Sequence, residues 1–233
     1  MQHRPYALLE PVRDGGNVMR ARDMVSNTLV AVKVCKDRDN ALKEISALQT
    51  AEHHPNVIHL LDWYDDARGG IAMVMPLADM DLLDFMQTSL FTTERTLRAV
   101  AEQVAAAVEH VHSRALVHLD VKPDNVGVVL LASGGMMCKL MDFGSAQSEL
   151  VSGTRIRCTP FYLAPEMLRG NVTPAADVYA LGMTLRVLIA QLAENTSGAA
   201  VPAAYEELWR AMTREDYGAR PSSSEVVLAV GEI

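Results

Sequence analysis

The sequence is poor in cysteine and has no excess of basic residues. Its three cysteines, Cys35, Cys138 and Cys158, are odd in number and widely spaced, which matches neither a disulfide framework nor a CxxC metal site. A reducing compartment, cytoplasmic or nuclear, is therefore expected. Lysine and arginine number 21 against 29 for aspartate and glutamate, a net charge of −8. This balance argues against a protein that binds nucleic acid or an anionic membrane through bulk charge.

A signal-peptide core, internal repeats and long apolar runs are also missing. Arg186 interrupts the longest apolar candidate, ALGMTLRVLIAQLA, so no run of 18 or more apolar residues predicts a membrane span. Apolar residues make up 49% and charged residues 21% of the 233 positions, which is near the globular average and excludes disordered and coiled-coil classes. The length allows one large domain or two small lobes, expected to be soluble and intracellular.

Apolar periodicity divides the chain into a strand-rich first third and a mainly helical remainder. Alternating or continuous apolar residues predict strands over 28–34 and 71–75. The segment 126–141 has two apolar runs around a Ser-Gly-Gly turn and predicts a hairpin, and 194–204 is expected to be a loop. Apolar residues at helical spacing predict helices over 39–52, 92–113, 176–193, 203–213 and 223–230. In the first of these helices the spaced apolar residues are Leu42, Ile45 and Leu48.

Four polar residues gather around the open end of the predicted hairpin. Asn125 enters it and Asp142 leaves it, and their midpoint falls inside the Ser-Gly-Gly turn, so a regular hairpin would set them opposite each other. An amide and a carboxylate at one point are oxygen ligands suited to Mg²⁺. Just upstream, HLDVKPDN supplies Asp120 and Lys122, the latter made extended by the proline that follows. A solvated polar loop would explain any one of these residues but not all four.

The order of the motifs makes the sequence resemble a eukaryotic-type protein kinase of the serine/threonine class over nearly its whole length. The motifs are VAVK ending at Lys33, Glu44 in a helix, HLDVKPDN at 118–125, DFG at 142–144, APE at 164–166, DVYALG from Asp177 and ARPS around Arg220. The resemblance implies an α+β, two-lobed protein kinase fold spanning 1–233. A small β-rich N-lobe with one αC helix, hinge included, would occupy 1–78, and a larger, mainly α-helical C-lobe 79–233.

The resemblance also implies transfer of the γ-phosphate of ATP to serine and threonine hydroxyls of proteins, with Mg²⁺ as the metal. Asp120 would orient the hydroxyl and accept its proton, while Lys122 would contact the γ-phosphate. Lys33 would bind the α- and β-phosphates, held by an ion pair with Glu44. The metal ligands would be Asn125 and Asp142.

ATP is expected between the lobes. Ala31 and Lys33 point the same way because a strand alternates, so Ala31 would cover the adenine while Lys33 reaches the phosphates. Met75 would be the gatekeeper, and the hinge would offer backbone groups. The full set of implied nucleotide contacts is Gly15, Gly16, Val18, Ala31, Lys33, Met75, Pro76, Ala78 and Gly127.

Departures from the family pattern are informative. Its three loop glycines fall on Pro11, Arg13 and Gly16, so only the last survives, and Arg13 is either a phosphate contact or a solvated arginine. Leu119 replaces an arginine that in the family often binds a phosphate on the activation segment, and we therefore expect activity without activation-loop phosphorylation. Ser152 and Thr154 are candidate modification sites.

Two alternatives remain open at this level. The degenerate loop and Leu119 would also suit a pseudokinase, an ATP-binding or scaffolding module without turnover. A kinase-like enzyme for small molecules is a weaker alternative, because the FYLAPE stretch resembles a peptide-docking segment. The expected partners are ATP and protein substrates with serine or threonine, with no nucleic acid and no membrane, and the expected state is a monomer.

Overall fold

A five-stranded antiparallel sheet with one helix forms the first part of the molecule. The computed structural model describes residues 5–67, 69–148, 159–197 and 201–233. The elements of this part are β1 (Tyr6–Pro11), β2 (Val18–Asp23), β3 (Leu29–Cys35), α1 (Arg38–Thr50), β4 (Asp62–Asp65) and β5 (Ile71–Pro76). The sheet order is β1-β2-β3-β5-β4.

The remainder is mainly helical. Its elements are β6 (Met80–Asp81), α2 (Leu82–Met86), α3 (Glu94–Ser113), β7 (Leu116–Val117), β8 (Val126–Leu130), β9 (Met136–Leu140), β10 (Gln147–Ser148), α4 (Pro174–Asn195), α5 (Ala203–Met212) and α6 (Ser223–Glu232). The strands form two small sheets, a three-stranded one in the order β6-β8-β9 and a two-stranded one of β10 and β7. The predicted α+β fold with a β-rich N-lobe and a helical C-lobe is confirmed. The division at 78/79 stays a prediction.

The N-lobe helix α1 begins directly after β3. Asp37 caps it, its side chain accepting a hydrogen bond from the backbone N–H of Asn40 at 3.1 Å. Of the three apolar residues whose spacing predicts this helix, Ile45 and Leu48 are buried and Leu42 is 40% exposed. Glu44 is buried instead, because it faces Lys33 on β3. The inward face of α1 thus carries an ion-paired carboxylate among buried apolar residues.

Helix α3 runs through the centre of the C-lobe. Thr93 caps its start, its hydroxyl accepting a hydrogen bond from the N–H of Thr96 at 3.1 Å. Helices α4 and α6 and strand β9 pack against it. The apolar residues that recur at helical spacing along α3 are all buried: Leu97, Val100, Ala101, Val104, Val108 and Val111.

Helix α4 is long and apolar because it lies in the C-lobe core. Among the described residues it is the one helix whose length and composition would suit a membrane span, and 61% of its most apolar window is buried inside the protein. Arg186 is on its exposed side, with its guanidinium carbon 5.2 Å from the ring centre of Trp209. The buried fraction is that of a core helix.

The β8–β9 hairpin has a register one residue away from the predicted one. Val126 pairs with Leu140 and Leu130 with Met136. The residue opposite Asn125 is consequently Met141, whose N–H donates to the Asn125 carbonyl at 2.8 Å. The expectation that Asn125 and Asp142 face each other is therefore wrong by one position. Asp142 lies just beyond the ladder with φ +59°, in the left-handed region, which turns its side chain back toward the cleft.

A buried ion pair fastens the segment around APE to the end of the C-lobe. Arg220 donates to both carboxylate oxygens of Glu166, at 2.6 and 2.8 Å, and to the carbonyl of Ala175 at 2.9 Å. Its guanidinium carbon also lies 4.9 Å from the ring centre of Tyr179. This two-pronged geometry is the strong form of an arginine–carboxylate contact.

Cys138 is expected to resist alkylation in the folded protein. It is 1% exposed on β9, and burial raises the pKa of its thiol to about 12, so almost no thiolate is present near neutral pH. Mass spectrometry after iodoacetamide treatment should find Cys138 modified only once denaturant unfolds the chain, and the half-buried Cys35 modified first. Rapid modification of Cys138 in native buffer would contradict the packing of β9.

Candidate active site

A cleft of ≈ 500 Å³ separates the sheet from the helical lobe. Most of the predicted site residues line it: Gly16, Val18, Ala31, Lys33, Glu44, Met75, Pro76, Ala78, Lys122, Asn125 and Asp142. Within the described part of the chain, Gly15, Gly127 and Asp120 do not contribute to this lining. On β3, Val30 and Val32 pack into the N-lobe core, which leaves Ala31 and Lys33 on the cleft side.

Lys33 lies at the centre of a charged triad. Its Nζ is 2.6 Å from Glu44 Oε1 and 2.7 Å from Asp142 Oδ1. Burial alone would lower the pKa of Lys33, but the two carboxylates outweigh it and raise that pKa, so the ammonium is kept charged. Lys33 thus joins strand β3, helix α1 and the DFG segment through one cation.

The two carboxylates of the triad respond differently to Lys33. For Asp142, burial opposes ionisation, but the Lys33 ammonium prevails and the pKa falls below its ordinary value. For Glu44, burial raises the pKa and outweighs the opposing effect of Lys33. Gly144 allows the close approach, since an added Cβ would lie 3.2 Å from Asp142 Oδ1 and 3.3 Å from Glu44 Oε2. Lys33 therefore favours the ionised form of Asp142, the carboxylate nearest the proposed phosphate position, more than burial opposes it.

Asp120 is held in a second polar cluster. Its two carboxylate oxygens each accept from Lys122 Nζ at 2.9 Å, and Oδ2 also accepts from Asn125 Nδ2 at 2.7 Å. Lys122 Nζ lies 3.0 Å from Thr159 Oγ1 as well, which connects the loop to the segment before APE. These contacts fix the Asp120 carboxylate at the edge of the cleft beside Lys122.

Asn125 and Asp142 retain the oxygen atoms that a magnesium ion would need. Asn125 Nδ2 donates both to the backbone carbonyl of Asp120, at 2.8 Å, and to its carboxylate, so the amide oxygen is the group left for a ligand. Asp142 uses Oδ1 for Lys33 and for the N–H of Gly144 at 3.4 Å, which leaves Oδ2. Mg²⁺ is commonly bound by one or two such side chains together with substrate phosphates. The donor set fits this ion.

A buried carboxylate on α4 holds the backbone of the HLD segment. Asp177 accepts the N–H of His118 at 2.6 Å and that of Leu119 at 2.7 Å. Leu119 has φ +66°, an unfavourable conformation for this residue type, so the two hydrogen bonds stabilise a strained turn. The His118 ring packs edge-on against Phe143 with ring centres 4.7 Å apart. The HLDVKPDN segment at 118–125 and the DFG segment are thereby in direct contact.

Met141, not Gly127, forms the lower surface of the cleft. A Cβ placed on Gly127 would lie 2.8 Å from Met141 Sδ and 2.9 Å from Ala78 Cβ. The side chain of Met141 thus fills the room that Gly127 leaves and lines the cleft beside Ala78. Gly127 is not among the described residues that line the cleft, and its contact with the nucleotide stays a prediction. Sequence reasoning missed Met141 because only the fold brings the two residues together.

The β1–β2 turn forms the upper surface of the cleft. Gly15 has φ +72°, a conformation that favours glycine, while Gly16 comes close to the preceding turn, since a Cβ there would lie 3.1 Å from the Arg13 carbonyl. The Arg13 side chain is 50% exposed but paired with carboxylates: it makes an ion pair with Asp81 and lies 3.6 Å from Asp84 and from Asp124. No local sequence pattern points to these acidic partners.

The comparisons with known proteins agree with this geometry. The protein kinase domain family matches residues 14–226, and the chain belongs to that family. It is similar to serine/threonine-protein kinase 36 of Pongo abelii, 31% identical over 192 residues, and to serine/threonine-protein kinase TIO of Arabidopsis thaliana, 29% over 193. Each alignment covers 77% of this chain and 14% of the relative.

A third relative extends the similarity to another group. Ribosomal protein S6 kinase alpha-1 of Mus musculus is 33% identical over 172 residues, which cover 71% of this chain and 24% of the relative. The chain therefore spans a quarter or less of the length of these relatives, and what their remaining parts do is not carried over to it.

Proposed function

We propose that this chain is an active serine/threonine protein kinase that uses ATP and Mg²⁺. The observation that carries the proposal is the joint presence, around one cleft, of the Lys33–Glu44–Asp142 triad and the Asp120–Lys122–Asn125 cluster. Phosphoryl transfer depends on positioning and on neutralising charge that spreads over the phosphate oxygens. Each cluster provides one lysine and one of the two proposed metal ligands, and the second also provides Asp120, the group proposed to receive the proton of the hydroxyl.

The chemistry then follows from the positions of the side chains. Asp120 accepts the proton of the substrate hydroxyl, whose oxygen bonds to the γ-phosphorus while the bond from that phosphorus to the β–γ bridging oxygen breaks. Lys33 and Lys122 offset the negative charge of the phosphates, and Asn125 and Asp142 would hold the Mg²⁺, which neutralises the phosphates further when bound. ADP leaves with the bridging oxygen.

We also propose that activity does not require phosphorylation of the activation segment. Leu119 is 3% exposed and packs in an apolar cluster with Val117, Ala164, Met167 and Ala176. A phosphate-binding arginine at this position would be an unpaired charge until the segment is phosphorylated, whereas a leucine contributes its packing at all times. Ser152, Thr154 and Cys158 lie outside the described residues.

The remaining assignments follow from the same proposal. We place the protein in a reducing compartment, cytoplasmic or nuclear, because Cys35 and Cys138 are free thiols in the part of the chain that the structure describes. A monomer is sufficient for the proposed reaction, since every group invoked belongs to one chain. The proposed partners are ATP and protein substrates that bear serine or threonine. We propose that neither nucleic acid nor a membrane takes part in the reaction.

The direct test is transfer of labelled phosphate. Purified protein is incubated with γ-labelled ATP, Mg²⁺ and a basic protein substrate, followed by phosphoamino-acid analysis. Label on serine and threonine, lost when EDTA removes Mg²⁺, is the expected result. Thermal stabilisation by Mg²⁺ and ATP without any transfer would favour the pseudokinase, and label confined to small-molecule acceptors would favour the other alternative.

A further inference from the structure

Arg13 is the residue of the β1–β2 turn that the proposed chemistry leaves unused. The turn covers the cleft from the N-lobe side, and its backbone is closed by hydrogen bonds from Val12 N–H to the Val18 carbonyl, at 2.9 Å, and from Gly16 N–H to the Arg13 carbonyl, at 3.0 Å. The Arg13 side chain extends from this turn across the mouth of the cleft and reaches residues of the C-lobe. Arg13 thus links the β1–β2 turn to the C-lobe through its charged side chain.

The acidic partners of Arg13 come from two separate segments. Asp81 and Asp84 belong to the start of α2, and Asp124 belongs to the catalytic loop beside the metal ligand Asn125. The Asp81 side chain is 9% exposed and already oriented, because its Oδ1 caps α2 by accepting the N–H of Asp84 at 2.9 Å. Its Oδ2 is thereby presented to the Arg13 guanidinium.

We propose that Arg13 is an electrostatic latch on the nucleotide site. Its ion pairs with Asp81, Asp84 and Asp124 hold the β1–β2 turn against the C-lobe, and a nucleotide enters or leaves the cleft only when these pairs break. At position 13, where the family pattern has a flexible glycine, this chain has a charged side chain that holds the turn closed. Arg13 is a positioning residue, and the inference rests on the proposed function only in taking the nucleotide to be ATP.

Salt dependence follows from the exposure of the groups. The Arg13 side chain is 50% exposed and those of Asp84 and Asp124 are 65% and 37% exposed, so salt screens these pairs. Exposed ion pairs each contribute a factor of about 1.4–5 in an equilibrium constant, and with the less exposed Asp81 pair added the three favour the closed turn on the order of tenfold. Raising ionic strength from about 0.01 M to 1 M shortens the screening length from roughly 30 Å to 3 Å and should open the latch.

Dissociation is the informative rate for a bound nucleotide. Removing Arg13 frees the exit, but it also leaves three carboxylates facing an incoming polyanion, so the association rate receives two opposing effects. The dissociation rate of a fluorescent ATP analogue should rise on the order of tenfold in Arg13→Gln at low salt. In the wild type the same rate should climb more steeply with salt than in the variant, where only the charge contacts between the protein and the phosphates remain to be screened.

Hydrogen exchange tests the latch without any nucleotide. Amides of the segment 12–17 should exchange faster in Arg13→Gln than in the wild type, and Arg13→Lys should restore part of the protection. Arg22→Gln is the matched control, because Arg22 lies on the same hairpin but bonds Asn27 at its far end, at 3.1 and 3.2 Å. Arg13→Glu should open the turn, and adding Asp84→Arg to the same chain should close it again.

The outcomes separate this inference from the proposed function. Unchanged exchange of 12–17 in Arg13→Gln, or an equal change in Arg22→Gln, would overturn the latch whether or not the protein transfers phosphate. Salt-independent dissociation from the wild type would overturn it too. A protein that shows the exchange pattern yet transfers no phosphate would retain the latch and lose the proposed catalytic function.

Discussion

Replacing Asp120 with asparagine is expected to lower the rate of phosphate transfer by about 10²–10⁴-fold, the usual effect of removing a positioned general base. The asparagine keeps the size of the side chain and an oxygen that accepts hydrogen bonds from Lys122 and Asn125. Thermal unfolding and nucleotide binding should therefore change little. The loss should appear in kcat, measured with saturating ATP, Mg²⁺ and protein substrate.

The control for this variant is a carboxylate of equal charge far from the cleft. Asp39 is exposed in the first turn of α1, so Asp39→Asn changes the net charge by the same amount without touching the site. Transfer by Asp39→Asn should match the wild type. Equal rates for Asp120→Asn and the wild type would show that Asp120 is not the residue that receives the proton.

Replacing Glu166 with glutamine is expected to destabilise the fold strongly. Its side chain is 2% exposed and its partner Arg220 is 0% exposed, so the variant leaves a buried guanidinium without its counter-charge. Breaking a buried pair from one side costs about 3–5 kcal/mol of unfolding free energy. In a domain of this size that corresponds to a fall in Tm of roughly 6–20 °C, measurable by calorimetry.

Glu206→Gln is the matched control for this prediction. Glu206 pairs with Arg210 at 2.5 Å on the surface of α5, where the two side chains are 46% and 59% exposed. Such pairs one helical turn apart contribute only about 0.3–0.5 kcal/mol. A Tm for Glu166→Gln no lower than that for Glu206→Gln would mean that the buried pair is not what fastens the APE segment.

The main helices and strands could be predicted because the local spacing of their apolar residues indicates both the type of element and its buried face. The alternation in β3 indicates which side chains face the cleft, and the stripe along α3 indicates the face that is buried, so both agree with the structure. The family resemblance implies the Lys33–Glu44 pair, which the structure contains, but it did not predict the contact between Lys33 and Asp142. In each case the signal lies in local periodicity or in residues that the family resemblance assigns.

The remaining features depend on contacts between residues far apart in the chain. The hairpin register is off by one because five residues, 131–135, connect the strands, and the turn alone does not specify the pairing. Met141 takes the space above Gly127 only once β8 and β9 pair and Ala78 packs beside them. The partners of Arg13 lie 68 and 111 positions away, at Asp81 and Asp124, so no local pattern points to them.

Transfer by protein that carries no phosphate tests the account most directly. Wild-type protein is treated with phosphatase, its unphosphorylated state is verified by intact mass, and the initial rate with labelled ATP, Mg²⁺ and a protein substrate is recorded. The complete site and the apolar packing of Leu119 predict linear transfer from the first time point, at the rate of untreated protein. No transfer, or a lag that disappears after preincubation with ATP, would contradict the proposal that the protein is active without phosphorylation of its activation segment.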